Sequence, residues 1–165
     1  MSYQEKRIIF TIITGVLILG AYCIYAYGKY QSGTIDTEDM KFWAGLILMF
    51  VGIGVVVNIV NQIIFHILIA ISIAVKEKMR NGMCDDKEIE KTIKSEMVTD
   101  EMDNLIELKS MRTGFFVSGI GFVAGLLSLV LNYAPVIMIN IIFISFLVGS
   151  LLEGFIQLHY YRKGI

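Results

Sequence analysis

Two stripes of polar side chains interrupt otherwise apolar sequence, and they are the residues best placed to do chemistry. Asn58, Asn61, Gln62 and His66 fall in one apolar run, with Asn58, Gln62 and His66 at i, i+4 and i+8 on one helical face. Ser150, Glu153 and Gln157 form a second stripe, spaced three and four apart in another run. An imidazole titrates near neutral pH, so a histidine facing a carboxylate in apolar surroundings could answer protons or bind a small polar solute. The plainer role is interhelical hydrogen bonding, at about 0.6 kcal/mol per contact in a membrane.

Other chemistry is poorly provided for. The spacings of Cys23, Cys84, His66 and His159 match no zinc set, and two histidines at matching depth on facing helices, as haem ligation would need, are missing. Asp100, Asp103 and Glu107 share one helical face, which could hold a divalent cation but is more simply a solvated surface. The chain carries no Ser-His-Asp or Cys-His arrangement, phosphate loop or HExxH motif. We therefore expect no enzyme, no metal and no cofactor. A net charge of −1 also leaves no basic surface for direct nucleic-acid binding.

The elements that must position the stripes are long apolar runs, the last of them broken only by Glu153. The chain has 165 residues, 56% hydrophobic and 18% charged, against about 25% charged in an ordinary soluble domain. Four runs exceed the 18 or so apolar residues that span a bilayer, which predicts transmembrane helices over 7–28, 41–76, 112–132 and 135–161. The second has 34 uncharged residues between Lys41 and Lys76, roughly 51 Å of helix, so it must tilt or project. The first is too long for a signal-peptide core and ends in Tyr22, Tyr25, Tyr27 and Tyr30, so it reads as a retained helix.

Lys and Arg set the expected orientation. With the N-terminus inside, twelve of the fourteen lie on the cytoplasmic side, and only Lys29 and Lys41 lie outside. Phe42-Trp43 and Tyr160-Tyr161 fall where interfacial aromatic belts belong. These features predict a multi-pass membrane protein with both termini in the cytoplasm. At about 1.5 Å per residue, His66 and Glu153 each lie about 14 Å from the cytoplasmic ends of their helices, so we expect them to come together.

The loops are unequal. The outer one, 28–41, is short and offers an N-cap in Asp36-Thr37-Glu38-Asp39. The cytoplasmic segment 77–111 carries Ile89, Ile93 and Met97 on one face, followed by Asp100, Asp103 and Glu107. It either covers the inner mouth of the bundle or the membrane surface, or docks a cytoplasmic partner. No breaker separates its second half from the third membrane helix, so one long helix is expected to begin in the cytoplasm. That helix carries Gly114, Ser118, Gly121, Gly125 and Ser128, a heptad seam of small residues suited to close helix packing. Its partner is either a helix of the same chain or a second copy. The fold expected is an all-α membrane protein, a single domain of four transmembrane helices arranged as two antiparallel hairpins.

The stretch from Asp100 to Arg112, DEMDNLIELKSMR, runs straight into an apolar helix. With the N-terminal YQEKR and the C-terminal HYYRKG, it resembles a group of small bacterial four-helix inner-membrane proteins with no established activity. Their usual motif is Asp-Glu-Arg-Asp followed by Leu-Ile-x-Leu-Lys and a later Arg; Met102 here replaces the Arg. Genes of that group often neighbour small helix-turn-helix regulators. The resemblance thus implies a sensory or regulatory protein whose partners are the lipid bilayer and a cytoplasmic regulator. The alternatives are an oligomeric channel or transporter for ions, protons or small solutes, and a structural subunit of a membrane complex.

Overall fold

The computed structural model describes residues 3–31, 39–81 and 101–163. The described residues form four helices: α1 (Tyr3–Gln31), α2 (Met40–Asn81), α3 (Glu101–Val130) and α4 (Pro135–Lys163). Each is long and apolar enough to cross a membrane. Large side chains such as Leu17, Leu48, Phe115, Phe116 and Val130 stand exposed on the outside. A soluble protein of this size rarely shows so continuous an apolar surface, whereas a bilayer solvates it at no cost.

Local chemistry sets the helix ends. Asp39 caps α2: its Oδ1 accepts from the backbone N–H of Lys41 and of Phe42, both at 3.1 Å. The α3–α4 turn is a Schellman closure with Asn132 in the left-handed region, at φ 62°. The N–H of Tyr133 donates to the Ser128 carbonyl and that of Asn132 to the Leu129 carbonyl, each at 3.0 Å. Pro135 then opens α4, where its missing N–H is harmless. The helices outrun most of the spans read in the sequence: α1 covers Tyr3–Gln31, α2 continues past Lys76 to Asn81 and α4 reaches Lys163, while α3 ends at Val130.

The helices gather around α4, which touches all three others; α1 packs more extensively on α4 than on α2. The closest pairing is α3 with α4. Gly114, Ser118, Gly121, Gly125 and Ser128 are all buried, and the row continues through Ser110 to Ile106. A Cβ on Gly121 would fall on the Ser145 side chain, and one on Gly125 would meet Ile142 at 2.9 Å. On α4, a Cβ at Gly149 would lie 2.7 Å from the Gly114 carbonyl oxygen. The two backbones therefore run in opposite directions at a distance that only small residues allow. Ser110, Ser118 and Ser128 donate to carbonyls of their own helix, so burying them leaves no unsatisfied hydroxyl.

Toward α1 the same principle recurs on the other side of α4. Gly15 accommodates Leu151, and Gly154 accommodates Ile12. Beyond these contacts Tyr22, Trp43, Leu46, Phe50, Val136 and Phe143 make an apolar core between α1, α2 and α4. Tyr22 is fully buried and meets Phe50 and Phe143 edge-on, with centroids 5.2 and 4.7 Å away.

Two glycines two residues apart on α3 give a controlled test of the seam. Gly121→Leu should destabilise the α3–α4 pair by about 1–3 kcal/mol, the range for overpacking a tight contact. Gly119→Leu, where an added Cβ meets nothing, should leave thermal stability in detergent nearly unchanged.

Candidate functional site

All four helices contribute to one polar cavity at the end of the bundle where α1 begins and α4 ends. Its volume is about 220 Å³, room for several waters. Gln4, Arg7 and Thr11 line it from α1, Asn58 from α2, Asp103 and Glu107 from α3, and Glu153, Gln157 and Tyr161 from α4. Three carboxylates thus share a small space with one guanidinium. Among the described residues, no three His, Cys, Asp or Glu side chains stand together in a way that could hold a metal ion. The chemistry on offer is hydrogen bonding and charge exchange with a proton or a small polar solute.

The seam makes room for the carboxylate at the centre of this cavity. A Cβ on Gly114 would approach Glu153 Oε2 to 2.9 Å and the Gly149 carbonyl oxygen to 3.1 Å. Gly114 is therefore both a packing residue and the floor on which the Glu153 side chain lies. At the cavity edge the Tyr161 hydroxyl donates to Asp103 Oδ1 at 2.6 Å. Lys109 Nζ lies 5.8 Å from the centre of the Tyr160 ring. These two contacts tie the first turns of α3 to the last turns of α4.

From this cavity a crevice climbs between α1, α2 and α4. Asn58 is common to the cavity and to a further space of about 450 Å³ lined also by Thr14, Asn61 and Ser150. Asn61 donates to Thr14 Oγ1 at 3.1 Å, the described polar link between α1 and α2. Gln62 is exposed beside Arg7 and Thr11 on the flank of the same helices. The crevice ends against Ile18, Phe50 and Phe143, where Tyr22 closes the core.

The polar stripes read from sequence are thus distributed along one crevice. Asn58, Glu153 and Gln157 reach the cavity, Asn61 faces α1, and Gln62 stays at the margin. His66 lies on α2, but its side chain is outside the described residues, as are Ile89, Ile93, Met97 and Asp100. Asp103, read as part of an outward acidic face, is half-buried because Tyr161 draws it inward, and Glu107 lines the same cavity. Gln4, Arg7, Thr11 and Tyr161 were not singled out as site residues by their sequence context. Matching their depth to that of Asp103 at the same end of the bundle would have found them. The segments YQEKR, DEMDNLIELKSMR and HYYRKG send Gln4 and Arg7, Asp103 and Glu107, and Tyr161 into this one cavity.

Compared with family models, curated proteins and solved structures, the chain matches none.

The tie at the cavity edge can be tested directly. Tyr161→Phe removes one hydrogen bond of about 1 kcal/mol, so amides in the first two turns of α3 should exchange about fivefold faster with deuterium. Exchange around the Tyr22 core should not change, and uniform loosening of all four helices would show that the contact is not local.

Proposed function

We propose that this chain is a non-enzymatic, multi-pass protein of the bacterial inner membrane with a sensory or regulatory role. In this reading its helices form two antiparallel hairpins, both termini lie in the cytoplasm, and α3 begins in the cytoplasm before entering the bilayer. Occupancy or charge in the polar cavity sets the position of the base of α3. The segment 82–100, immediately before α3 in the chain, reports that position to a cytoplasmic partner.

The observation that carries the reading is that Asp103 and Glu107, on the first two turns of α3, share the cavity with Glu153 and Tyr161 of α4. A proton or solute that binds there contacts both helices at once. Binding energy that differs between two placements of α3 is what a switch requires. Channel or transporter activity would need a path past Tyr22, Phe50 and Phe143, which pack edge to face across the crevice.

The test is a gentle-detergent pull-down of the tagged protein from its native host, with crosslinking and mass spectrometry. We expect a DNA-binding regulator crosslinked at Lys87, Lys91 or Lys94, with a yield changed by Glu153→Gln. Recovery of self-oligomers alone, together with ion or solute flux in liposomes that Glu153→Gln abolishes, would replace the sensor with the transport reading.

A further inference from the structure

The polar cavity and the crevice above it are one continuous space, since Thr11, Asn58 and Gly154 line both. The crevice stays open because α2 packs on its neighbours chiefly near its start, through Trp43, Leu46 and Phe50. One turn past Phe50 a glycine faces the gap, and a Cβ on Gly54 would meet nothing within 4 Å. The lining then changes character in the same direction on all three helices. It runs from Thr11 to Ile18 on α1, from Asn58 to Phe50 on α2 and from Ser150 to Phe143 on α4, polar at the cavity end and apolar at the Tyr22 core. Each of these steps is about 10–12 Å of helix. A polar-to-apolar gradient of one length on three separate helices is the outline of an amphiphile, with its head in the cavity and its tail against Phe50 and Phe143.

The cavity sets the sign of the head. Asp103 is engaged by the Tyr161 hydroxyl. Glu107 and Glu153 then share the lining with a single guanidinium, that of Arg7, so the walls carry a carboxylate in excess. An anionic head would be repelled there, and a neutral one would leave that carboxylate uncompensated in surroundings of low dielectric. A cation answers both objections. The carboxylate oxygens and the side-chain carbonyls of Asn58 and Gln157 are acceptors, which suits a primary ammonium with its three donors. The neutral side chains at the mouth of the crevice, Thr11 and Ser150, ask for no further charge along the tail.

We propose that cavity and crevice together form a binding site for a primary alkylammonium. Its head lies between Glu107 of α3 and Glu153 of α4, and its chain runs up the crevice toward Phe50 and Phe143. The inference rests on the reading of this cavity as the place a signal occupies, and it names the chemical class of that signal. A head held by both carboxylates joins the base of α3 to α4, so the bound and empty states differ at the helix that the proposed response depends on.

The full chain in nanodiscs of zwitterionic lipid is titrated with radiolabelled n-octylammonium, and the uptake of protein-free nanodiscs is subtracted. We expect saturable binding that neither octanol nor octanoate displaces. Methylammonium, a head without a tail, should compete only at about a hundredfold higher concentration. Glu153→Gln should weaken octylammonium about ten- to a hundredfold, the worth of one charge-assisted hydrogen bond. Gly54→Leu, placed where an added Cβ meets no neighbour, should occupy the tail's space, weakening octylammonium and leaving methylammonium unchanged. Should Glu153→Gln fail to fold, Gly54→Leu and the ligand series on the wild-type chain decide. Binding that does not saturate, that octanol or octanoate displaces as well as the amine does, or that methylammonium matches overturns the proposal. Octylammonium that binds as expected, yet leaves the crosslinking yield at Lys87, Lys91 and Lys94 unchanged, supports the site and overturns the sensory reading.

Discussion

In hydrocarbon, apolar side chains gain nothing by leaving the solvent, so helices stay together only where their backbones come close enough for dense contact. The α3–α4 seam is where this chain meets that requirement. Gly121 receives Ser145, Gly125 receives Ile142, and Gly149 lies against the Gly114 carbonyl. The other associations hang from it. With α3 seated on one side of α4, Gly154 and Leu151 are left to receive α1 through Ile12 and Gly15. The second helix is then held chiefly near its start, through Trp43, Leu46 and Phe50. Stability in this architecture depends on where side chains are missing as much as on where they are large.

The aromatic core divides what remains into two environments. Tyr22, Phe50 and Phe143 pack edge to face between a polar crevice on one side and an apolar groove on the other. Polar groups below the core can exchange with solvent from the end of the bundle where α1 begins and α4 ends. Residues above it line a mostly apolar groove that is open at the side. Tyr22 belongs to both sides: its ring closes the crevice, and its hydroxyl orients Asn140 in the groove. A change that moved this ring would be felt in both spaces, which gives the bundle a physical link between its two ends.

Much of the fold could be read from the sequence because it depends on local patterns. Four long apolar runs gave the helices, Asn132 with Pro135 gave the tight turn, and Asp39 supplied the cap. The small-residue spacing on α3 marked the face that approaches another helix, but could not name α4 as its partner. That choice depends on Ser145 and Gly149, which taken alone look like ordinary small residues in an apolar run. The site was legible only in part for the same reason. Asn58, Glu153 and Gln157 announce themselves as polar groups in hydrocarbon, whereas Arg7 and Tyr161 at helix ends look like topology and interface markers. Only the packing of four helices at one depth turns those end residues into the walls of a cavity.

Gly114 shows why seam and site cannot be treated separately. The small residue that lets α3 approach Gly149 also leaves the space that the Glu153 carboxylate occupies. A larger residue there would have to push apart two backbones and displace a carboxylate, and the second displacement is the cheaper because Glu153 Oε2 is the far end of a flexible side chain. The reverse also holds: any ligand that draws Glu153 away from Gly114 removes atoms from the tightest interface in the bundle. That coupling needs no relay of intermediate residues, since the two events share the same atoms. It makes the α3–α4 distance, rather than the cavity alone, the variable on which a response at this end of the protein would act.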